Sequence, residues 1–395
     1  MLKIANRVSS LKSSSIMEIS AKAAQLKAQG HEVISLAAGE PDFNTPEAIQ
    51  AAATLAMKEG ITKYTPAPGF QALREAIAKK VTQENGFPVD PEEVLVTSGA
   101  KHGLYLALQC LVDPGEAILI PTPAWVSYRP MIELAGASVI PLPLYEEDGY
   151  RPNIERWKGM AIPPNAKGII INSPNNPTGV VYSREELVKL TGWALQRNLW
   201  IISDEIYEKI IYDHLSHTSV AALGPEAKKA TITISGFSKS YAMTGWRFGW
   251  AIAEKPFVSK MAALQSQSNS HVTSFVQWAA MTACQLPGSV AQSMVSEFDN
   301  RRRYCMERLD SLSPFLTYTR PTGAFYIFIN LSKWLTAHKM TDLEFCKELL
   351  DKEFVGVVPG SSFGKEHSIR ISYATNLDNL KKAFDRIEGY LKRVS

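Results

Sequence analysis

The 395-residue sequence predicts an α/β protein with a large, mostly parallel sheet covered by helices, followed by a smaller α+β domain. Short apolar runs rich in branched residues recur through the middle of the chain, and they do not alternate strictly with polar residues. Such runs are typical of strands buried on both faces of a sheet. Helix-length segments separate several of them, which favours parallel strands joined by crossover helices.

The elements follow in chain order. The first hundred residues predict helices over 16–29, 46–59 and 70–85, with a short strand and then a loop in HEVISLAAGEPDF. The strand-like runs of the middle part are VLVT, AILIPT, SVIPL, GIIIN, WIISDE, TITIS and FGWAIA, with helices predicted over 100–111, 184–197 and 256–285. Beyond residue 290 a charged helix, the strand AFYIFINL, a helix over 341–353, the strands VGVVPG and SIRISYA and a last helix are expected. We assign 46–290 to the large domain, and 1–45 with 291–395 to the small domain.

Composition excludes several classes of function. With 42 basic and 39 acidic side chains the net charge is only +3, so no nucleic acid or anionic membrane partner is expected. The four cysteines lack CxxC spacing, and no metal-ligand motif is present. Reduced thiols indicate a cytoplasmic protein. Because the sequence has no long apolar stretch, we expect that it is not exported and has no membrane anchor.

Polar and aromatic residues follow five of the predicted strands. In α/β proteins ligands bind beyond the carboxyl ends of the strands, so these residues are candidates for a binding site. They are Ser98, Gly99, Ala100 and Lys101 after VLVT, Trp125 after AILIPT, Asn175 and Asn176 after GIIIN, Asp204 and Tyr207 at the end of WIISDEIY, and Ser238 and Lys239 after TITIS.

Each loop also has an interpretation without a ligand. TSGAKHGL starts a helix whose free N–H groups can bind phosphate, or it is only a tight connection. Arg247 could bind phosphate oxygens or form a surface ion pair. A carboxylate that ends an apolar strand, Asp204, suits a protonated ring nitrogen, or it caps the next segment. Its neighbour Glu205 is expected to be solvated, and Trp125 could be a core aromatic or stack on a planar ring.

Together these groups describe a pocket for pyridoxal 5′-phosphate. Asp204 would keep the pyridine nitrogen protonated, and Tyr207 could donate its hydroxyl to the phenolic oxygen. Lys239 would bind the aldehyde covalently, because burial and neighbouring cations lower the pKa of an amine. The ring would then act as an electron sink for the substrate's α-carbon.

The sequence closely resembles the fold-type I pyridoxal-phosphate enzymes and, within them, the class I aminotransferases. SPNNPTG, SDEIY, GFSK followed by AMTGWRFG, and RISYA stand in the order and spacing of that family, and the resemblance runs from AAGEPDF to RISYA. It implies a homodimer and a transfer of amino groups between amino acids and 2-oxo acids by a ping-pong course.

The resemblance also implies a role for individual residues. Lys239 would be the Schiff-base lysine and the proton carrier, with Asp204 on the ring nitrogen, Tyr207 and Asn176 on the phenolic oxygen, and Trp125 over the ring. The phosphate would contact Gly99, Ala100, Ser238, Arg247 and, from the other subunit, Tyr64, and Lys101 would also bind the cofactor. The substrate's α-carboxylate would meet Arg370 and the Gly39 loop. Two positions depart from the family pattern: Gly236 replaces a hydroxyl residue, and SGAKHG replaces a double-glycine loop.

The substrate is indicated by Lys101 at the predicted start of a helix, where a cation is unfavourable unless an anion compensates it. In the bacterial aspartate/prephenate subgroup a matching lysine meets the distal carboxylate, and Ser14 and Ser15 match a segment over the active site; Lys12 and Arg129 are further cations. The resemblance therefore implies L-aspartate and 2-oxoglutarate as substrates. Prephenate, aromatic amino acids, alanine or kynurenine remain alternatives, as do a lyase of the same fold and a ligand-sensing domain.

Overall fold

The computed structural model describes residues 2–9, 11 and 15–393, apart from the side chains of residues 15–17. Its helices are α1 (Asn6–Ser9), α2 (Ser15–Ala28), α3 (Glu47–Lys58), α4 (Gln71–Glu84), α5 (Ala100–Leu111), α6 (Tyr128–Leu134), α7 (Ile154–Trp157), α8 (Arg184–Leu195), α9 (Pro225–Ala230), α10 (Lys255–Ser268), α11 (Ser274–Gln285), α12 (Ser289–Ser311), α13 (Ser332–Ala337), α14 (Asp342–Glu353) and α15 (Leu377–Arg393). None of the helices in these ranges combines the length and the apolar content needed to cross a bilayer.

The strands are β1 (Ile34–Ser35), β2 (Val94–Thr97), β3 (Ala117–Thr122), β4 (Ser138–Pro143), β5 (Ala166–Asn172), β6 (Trp200–Asp204), β7 (Thr231–Ser235), β8 (Gly249–Ile252), β9 (Thr317–Tyr318), β10 (Tyr326–Asn330), β11 (Val355–Gly356), β12 (Val358–Pro359) and β13 (Ser368–Ser372). Seven of them form the main sheet in the order β2-β8-β7-β6-β5-β3-β4. All of its neighbouring pairs are parallel except those of β8, which runs against both β2 and β7. The predicted α/β class with a mostly parallel sheet is confirmed.

This topology determines where the site can form. The carboxyl ends of β2, β3, β5, β6 and β7 lie at one edge of the sheet, because these strands all run in the same direction. The reversed β8 brings its amino end, which follows Arg247, to that same edge. Strands β2 and β7 are buried along their whole length, so even the polar Thr231, Thr233 and Ser235 of β7, which alternate with isoleucines, lie inside the fold.

The predicted continuous helix over 256–285 is wrong. The chain forms α10 and α11 instead, with a break at residues 269–273. The N–H groups of Asn269 and Ser270 both donate to the carbonyl of Gln265, and Ser270 has φ 66°. A residue in this left-handed conformation ends a helix, and the polar run SNSH offers no apolar side chain at helical spacing that would extend it.

The C-terminal part carries a second sheet in the order β12-β13-β10-β9, and all of its pairs are antiparallel. The N-terminal β1 pairs in parallel with β11, at Ile34 with Val355 and Ser35 with Gly356. This pairing holds the beginning of the chain against its C-terminal part. The division of the chain at residues 45 and 290 stays a prediction.

Candidate active site

A cavity of about 400 Å³ opens at the carboxyl edge of the main sheet. Most of the predicted site residues line it, although they come from segments spread over more than 300 positions of the chain. Those that line it are Gly39, Ala100, Lys101, Trp125, Asn176, Asp204, Tyr207, Ser238, Lys239, Arg247 and Arg370.

The first turn of α5 forms one end of the cavity together with Arg247. Gly99 precedes this helix with φ 82°, and a Cβ atom there would lie 2.5 Å from an Arg247 guanidinium nitrogen. Only glycine lets the loop and the guanidinium approach so closely. The first N–H groups of a helix have no partner within it, so this end of the cavity offers main-chain donors and a guanidinium to an anion. That combination fits a phosphate group.

Asp204 ends β6 and is 3% exposed. Its Oδ2 accepts a hydrogen bond of 2.6 Å from the Tyr128 hydroxyl, and its Oδ1 accepts a long one of 3.3 Å from the N–H of Ile206. Burial raises the pKa of this carboxyl to about 6, although both hydrogen bonds favour the charged form. A buried carboxylate with this environment fits a cationic ring nitrogen as its partner.

Lys239 lies beyond the end of β7, and its Nζ donates to the carbonyl of Gly39 at 2.6 Å. Burial lowers the pKa of this amine to about 8, and the nearby charges of Arg247 and Arg370 act in the same direction, whereas Glu40 opposes them. An amine with this pKa is partly uncharged near neutral pH, as attack on an aldehyde requires.

Arg370 lies on β13 and is 2% exposed. Its Nη1 donates to Asn176 Oδ1 at 3.0 Å and its Nη2 to the carbonyl of Ala37 at 2.8 Å. Its buried Nε has no hydrogen-bond partner among the described residues. A buried cation with an unused donor fits a carboxylate ligand.

The cavity is strongly positive. Lys239 and Arg370 bond neutral oxygens, Arg247 donates to the carbonyls of Thr244 and Ser98, and Lys101 Nζ lies 4.8 Å from the centroid of the Trp125 ring. None of these four cations forms an ion pair with a carboxylate of the described residues. Burial and the charge of Arg247 lower the pKa of Lys101. The lining therefore favours ligands with more than one negative charge.

Of the predicted site residues that the structure describes, Ser98, Gly99, Asn175 and Tyr64 do not line the cavity. Gly99 lies directly behind its phosphate end. Tyr64 is 91% exposed, with its ring edge-on to His271, so this chain's own cavity does not use it and its role across a subunit contact stays a prediction. Ser14 lies outside the described residues. Of the further cations, Lys12 also lies outside them, and Arg129 pairs with Glu133 at 3.6 Å.

The prediction that Glu205 is solvated is wrong. Its side chain is 1% exposed and accepts hydrogen bonds from Ser203 at 2.7 Å and from Ser219 at 2.9 Å, and it contacts His217 at 2.8 Å. Successive side chains of an extended segment point to opposite sides, so Glu205 turns away from the cavity that Asp204 faces. Its partners lie up to 14 positions further on, where sequence gave no sign of a contact.

Sequence reasoning missed Tyr128, Tyr326 and Asn172, which also line the cavity. Tyr128 follows Trp125 by three positions, and an aromatic pair at that spacing was a usable signal; the two rings lie edge to face at 5.3 Å. Asn172 donates its side-chain amide to the Asp204 carbonyl at 2.9 Å. Tyr326 stands in a strand of apolar residues, where nothing distinguishes it from core.

Comparison with known proteins agrees with this geometry. The family model described as aminotransferase class I and II matches residues 31–387. An aspartate aminotransferase of Geobacillus stearothermophilus is 44% identical over 392 residues, which cover 99% of both chains. A probable aspartate/prephenate aminotransferase of Aquifex aeolicus is 41% identical over 394 residues, again covering 99% of both. 

Among solved structures, an aspartate aminotransferase from Thermus thermophilus with maleate superposes with a TM-score of 0.93 at 38% identity, over 100% of both chains. The matches in sequence and in structure extend over nearly the whole chain, including every segment that lines the cavity. The chain belongs to the class I and II aminotransferases.

Proposed function

We propose that this aminotransferase moves the amino group of L-aspartate to 2-oxoglutarate with pyridoxal 5′-phosphate as its cofactor. The observation that carries the proposal is one cavity in which Lys239 and Asp204 lie among three further cations, Lys101, Arg247 and Arg370. The relatives named above as aspartate aminotransferases support the choice of substrate.

The residues present fit the cofactor. Its phosphate would occupy the end formed by Gly99, Ala100, Ser238 and Arg247, and Trp125 would cover the ring face. Asp204 would hold the ring nitrogen protonated, with Tyr207 and Asn176 at the phenolic oxygen. When bound, the cofactor supplies an aldehyde that forms a covalent bond with an amine and a ring that accepts electrons from the α-carbon.

The chain's own groups account for the proton transfers. With the cofactor bound, the free amine of Lys239 would be the group that takes the proton from the substrate's α-carbon and carries it to the cofactor. A pKa of about 8 suits both directions, since general acid–base catalysis works best with a pKa near the operating pH. Arg370 would hold the α-carboxylate by a bidentate pair.

Lys101 is the group that would bind the distal carboxylate. It lines the cavity, has no carboxylate partner among the described residues, and lies against Trp125. Aspartate, glutamate and 2-oxoglutarate each carry a second carboxylate for it. The relative named aspartate/prephenate aminotransferase supports prephenate as a further acceptor of the same charge type.

The test is a panel of amino donors and 2-oxo acids in steady-state assays. Aspartate and glutamate should be the best donors, and double-reciprocal plots should be parallel, as a ping-pong course requires. Alanine, kynurenine or aromatic amino acids outperforming aspartate would contradict the substrate assignment. Pyruvate or ammonia released from a single substrate without an acceptor would indicate a lyase.

The cofactor assignment has its own test. The purified protein should absorb visible light after incubation with pyridoxal phosphate, and borohydride should fix the label on Lys239. Lys239→Ala should abolish this labelling and lower transamination by at least a thousandfold, whereas Lys189→Ala, on the exposed side of α8, should change neither. A Lys239→Ala protein that transaminates at the normal rate would overturn the assignment.

We also propose a homodimer in the cytoplasm. The dimer would bring Tyr64 of one subunit to the phosphate end of the other, which accounts for a tyrosine 91% exposed in the single chain. The location rests on cysteine usage: Cys110, Cys284, Cys305 and Cys346 form no disulfide.

A further inference from the structure

Two buried hydroxyl groups meet in the wall of the cavity. The Tyr207 and Tyr326 oxygens lie 2.8 Å apart, and both residues line the cavity. Tyr207 is a predicted contact of the cofactor's phenolic oxygen, whereas Tyr326 has no assigned role.

The sheet holds the Tyr326 ring in place. Tyr326 begins β10 opposite Ser372 of β13, so it is diagonal to Arg370 on the same face of the pair. The guanidinium carbon of Arg370 lies 4.3 Å from the centroid of the Tyr326 ring. The ring is therefore fixed between a strand and a cation, and its hydroxyl has little freedom.

The surroundings of the Tyr326 hydroxyl leave it one hydrogen-bond partner. Among the described residues it bonds Tyr207, and its neighbour on another side is Gly39, which has no side chain to offer it a partner. Burial raises the pKa of both phenols, so both keep their protons at neutral pH. The pair therefore holds two protons, and each hydroxyl can donate only one.

The number of protons decides which of the two tyrosines donates the hydrogen bond between them when the cofactor is bound. If Tyr207 donates its only proton to the phenolic oxygen of the cofactor, the contact with Tyr326 must be donated by Tyr326. We propose, on the basis of the function proposed above, that Tyr326 is a positioning residue that donates to Tyr207 and thereby directs the Tyr207 proton at that oxygen. Donors in such a chain polarise one another, which makes Tyr207 the stronger donor.

The test is a pH titration of the visible absorbance of the pyridoxal-phosphate-loaded protein. It compares the unmodified protein with Tyr326→Phe, Tyr207→Phe and the double variant. Phenylalanine keeps each ring, including the one under Arg370, and removes only the hydroxyl. Tyr373→Phe is the matched control, because Tyr373 is fully buried, bonds Tyr212 and the Ala324 carbonyl, and lies outside the cavity.

A hydroxyl that donates to the phenolic oxygen competes for the electron pair that this oxygen otherwise offers to the proton on the Lys239 nitrogen. Losing the donor should therefore hold that proton to higher pH. We expect the midpoint of the absorbance change to rise by about half a pH unit or more in Tyr326→Phe, and further in Tyr207→Phe. The double variant should titrate like Tyr207→Phe alone, because Tyr326 acts through Tyr207.

Two outcomes would overturn this role. One is a Tyr326→Phe midpoint equal to that of Tyr373→Phe and the unmodified protein; the other is a double variant whose shift is the sum of the two single shifts. Failure of the unmodified protein to gain visible absorbance would instead overturn the proposed function, and this inference with it. The same series in steady-state assays should lower kcat more than it raises KM.

Discussion

At the residue scale, Lys101 carries the specificity argument. It lies in the first turn of α5, where the helix dipole disfavours a cation, and burial next to Arg247 lowers its pKa further. Keeping a charged lysine at this position is electrostatically unfavourable unless an anion lies beside it. A ligand whose second carboxylate pairs with Lys101 would compensate this cost. Lys101→Gln should therefore lower kcat/KM for aspartate by about 10- to 100-fold.

Comparing kcat/KM for aspartate and for alanine shows whether Lys101 binds the distal carboxylate. Alanine, which lacks the distal carboxylate, should change by less than about threefold in Lys101→Gln. Arg129→Gln is the matched control, since Arg129 is more than half exposed and pairs with Glu133, and it should leave both substrates unaffected. Equal losses for aspartate and alanine in Lys101→Gln would indicate that Lys101 serves the phosphate and not the substrate.

The same scale explains Gly236, whose departure from the family pattern had no evident consequence in the sequence. A Cβ atom there would lie 2.9 Å from both the Gly249 Cα and the Phe248 carbonyl oxygen. A hydroxyl residue therefore does not fit this close approach of β7 to β8. The phosphate contact that the resemblance implies for this position would come from Ser238, Arg247 or main-chain donors in the proposed holoenzyme.

At the element scale, the end of β6 rests on a buried layer of charge. Lys80 of α4 pairs with Glu208 at 2.9 Å and with Glu84 at 3.0 Å, and Glu205 contacts His217 at 2.8 Å. Glu208 also accepts from Asn85 at 2.6 Å. Glu205 and Glu208 of this layer directly follow Asp204 and Tyr207 in the sequence. The layer therefore supports the segment that would hold the cofactor ring.

Removing one partner should be costly. Lys80→Met removes the ammonium group that bonds the buried Glu208 directly and should reduce the free energy of unfolding by about 3 to 5 kcal/mol. Lys209→Met is the control, because Lys209 pairs with Glu84 from a more exposed position and should have a much smaller effect. Chemical unfolding followed by fluorescence measures the free energy of unfolding of both variants. Equal decreases in Lys80→Met and Lys209→Met would contradict the stabilising role of the buried layer.

The layer also gives stability a pH dependence whose sign can be worked out. Burial opposes the Glu208 carboxylate, but Lys80, His217 and Lys209 lower its pKa to about 2. The ionised Glu208 adds to the free energy of unfolding above the pKa of an unfolded glutamate, about 4.3. This added stability is lost as the pH falls toward 2. For His217 burial is outweighed by Glu205, so its pKa is raised; its contribution is present below about 6.5 and is lost as pH rises through the folded value.

At the scale of the whole molecule, the site is expected to be shared between subunits. Co-expressing Tyr64→Ala with Lys239→Ala chains should restore activity, because a mixed dimer contains one site with both residues intact and one with neither. Each variant alone should be weak or inactive, and mixing Lys239→Ala with Asp204→Ala should restore nothing, since both of these residues line one chain's own cavity. No recovery in the first mixture would place Tyr64 outside the site.

The sequence predicted what depends on local pattern. Apolar runs located the strands, and because parallel strands end at one edge, most of the residues after those runs line one cavity. Contacts between distant side chains could not be predicted this way: Tyr128 reaches Asp204 across 76 positions, and Tyr326 reaches Tyr207 across 119. The break at Asn269 and Ser270 was missed for a different reason, since a polar residue can adopt either a helical or a left-handed conformation.

The four cations that share the cavity have a practical consequence for handling the protein. Inorganic phosphate and sulfate match the donors at the start of α5 and the Arg247 guanidinium as well as a phosphate ester does. By mass action such ions would stabilise the folded chain and compete with the proposed cofactor. Buffer salts will therefore set both the apparent melting temperature of the cofactor-free protein and the amount of pyridoxal phosphate needed to load it.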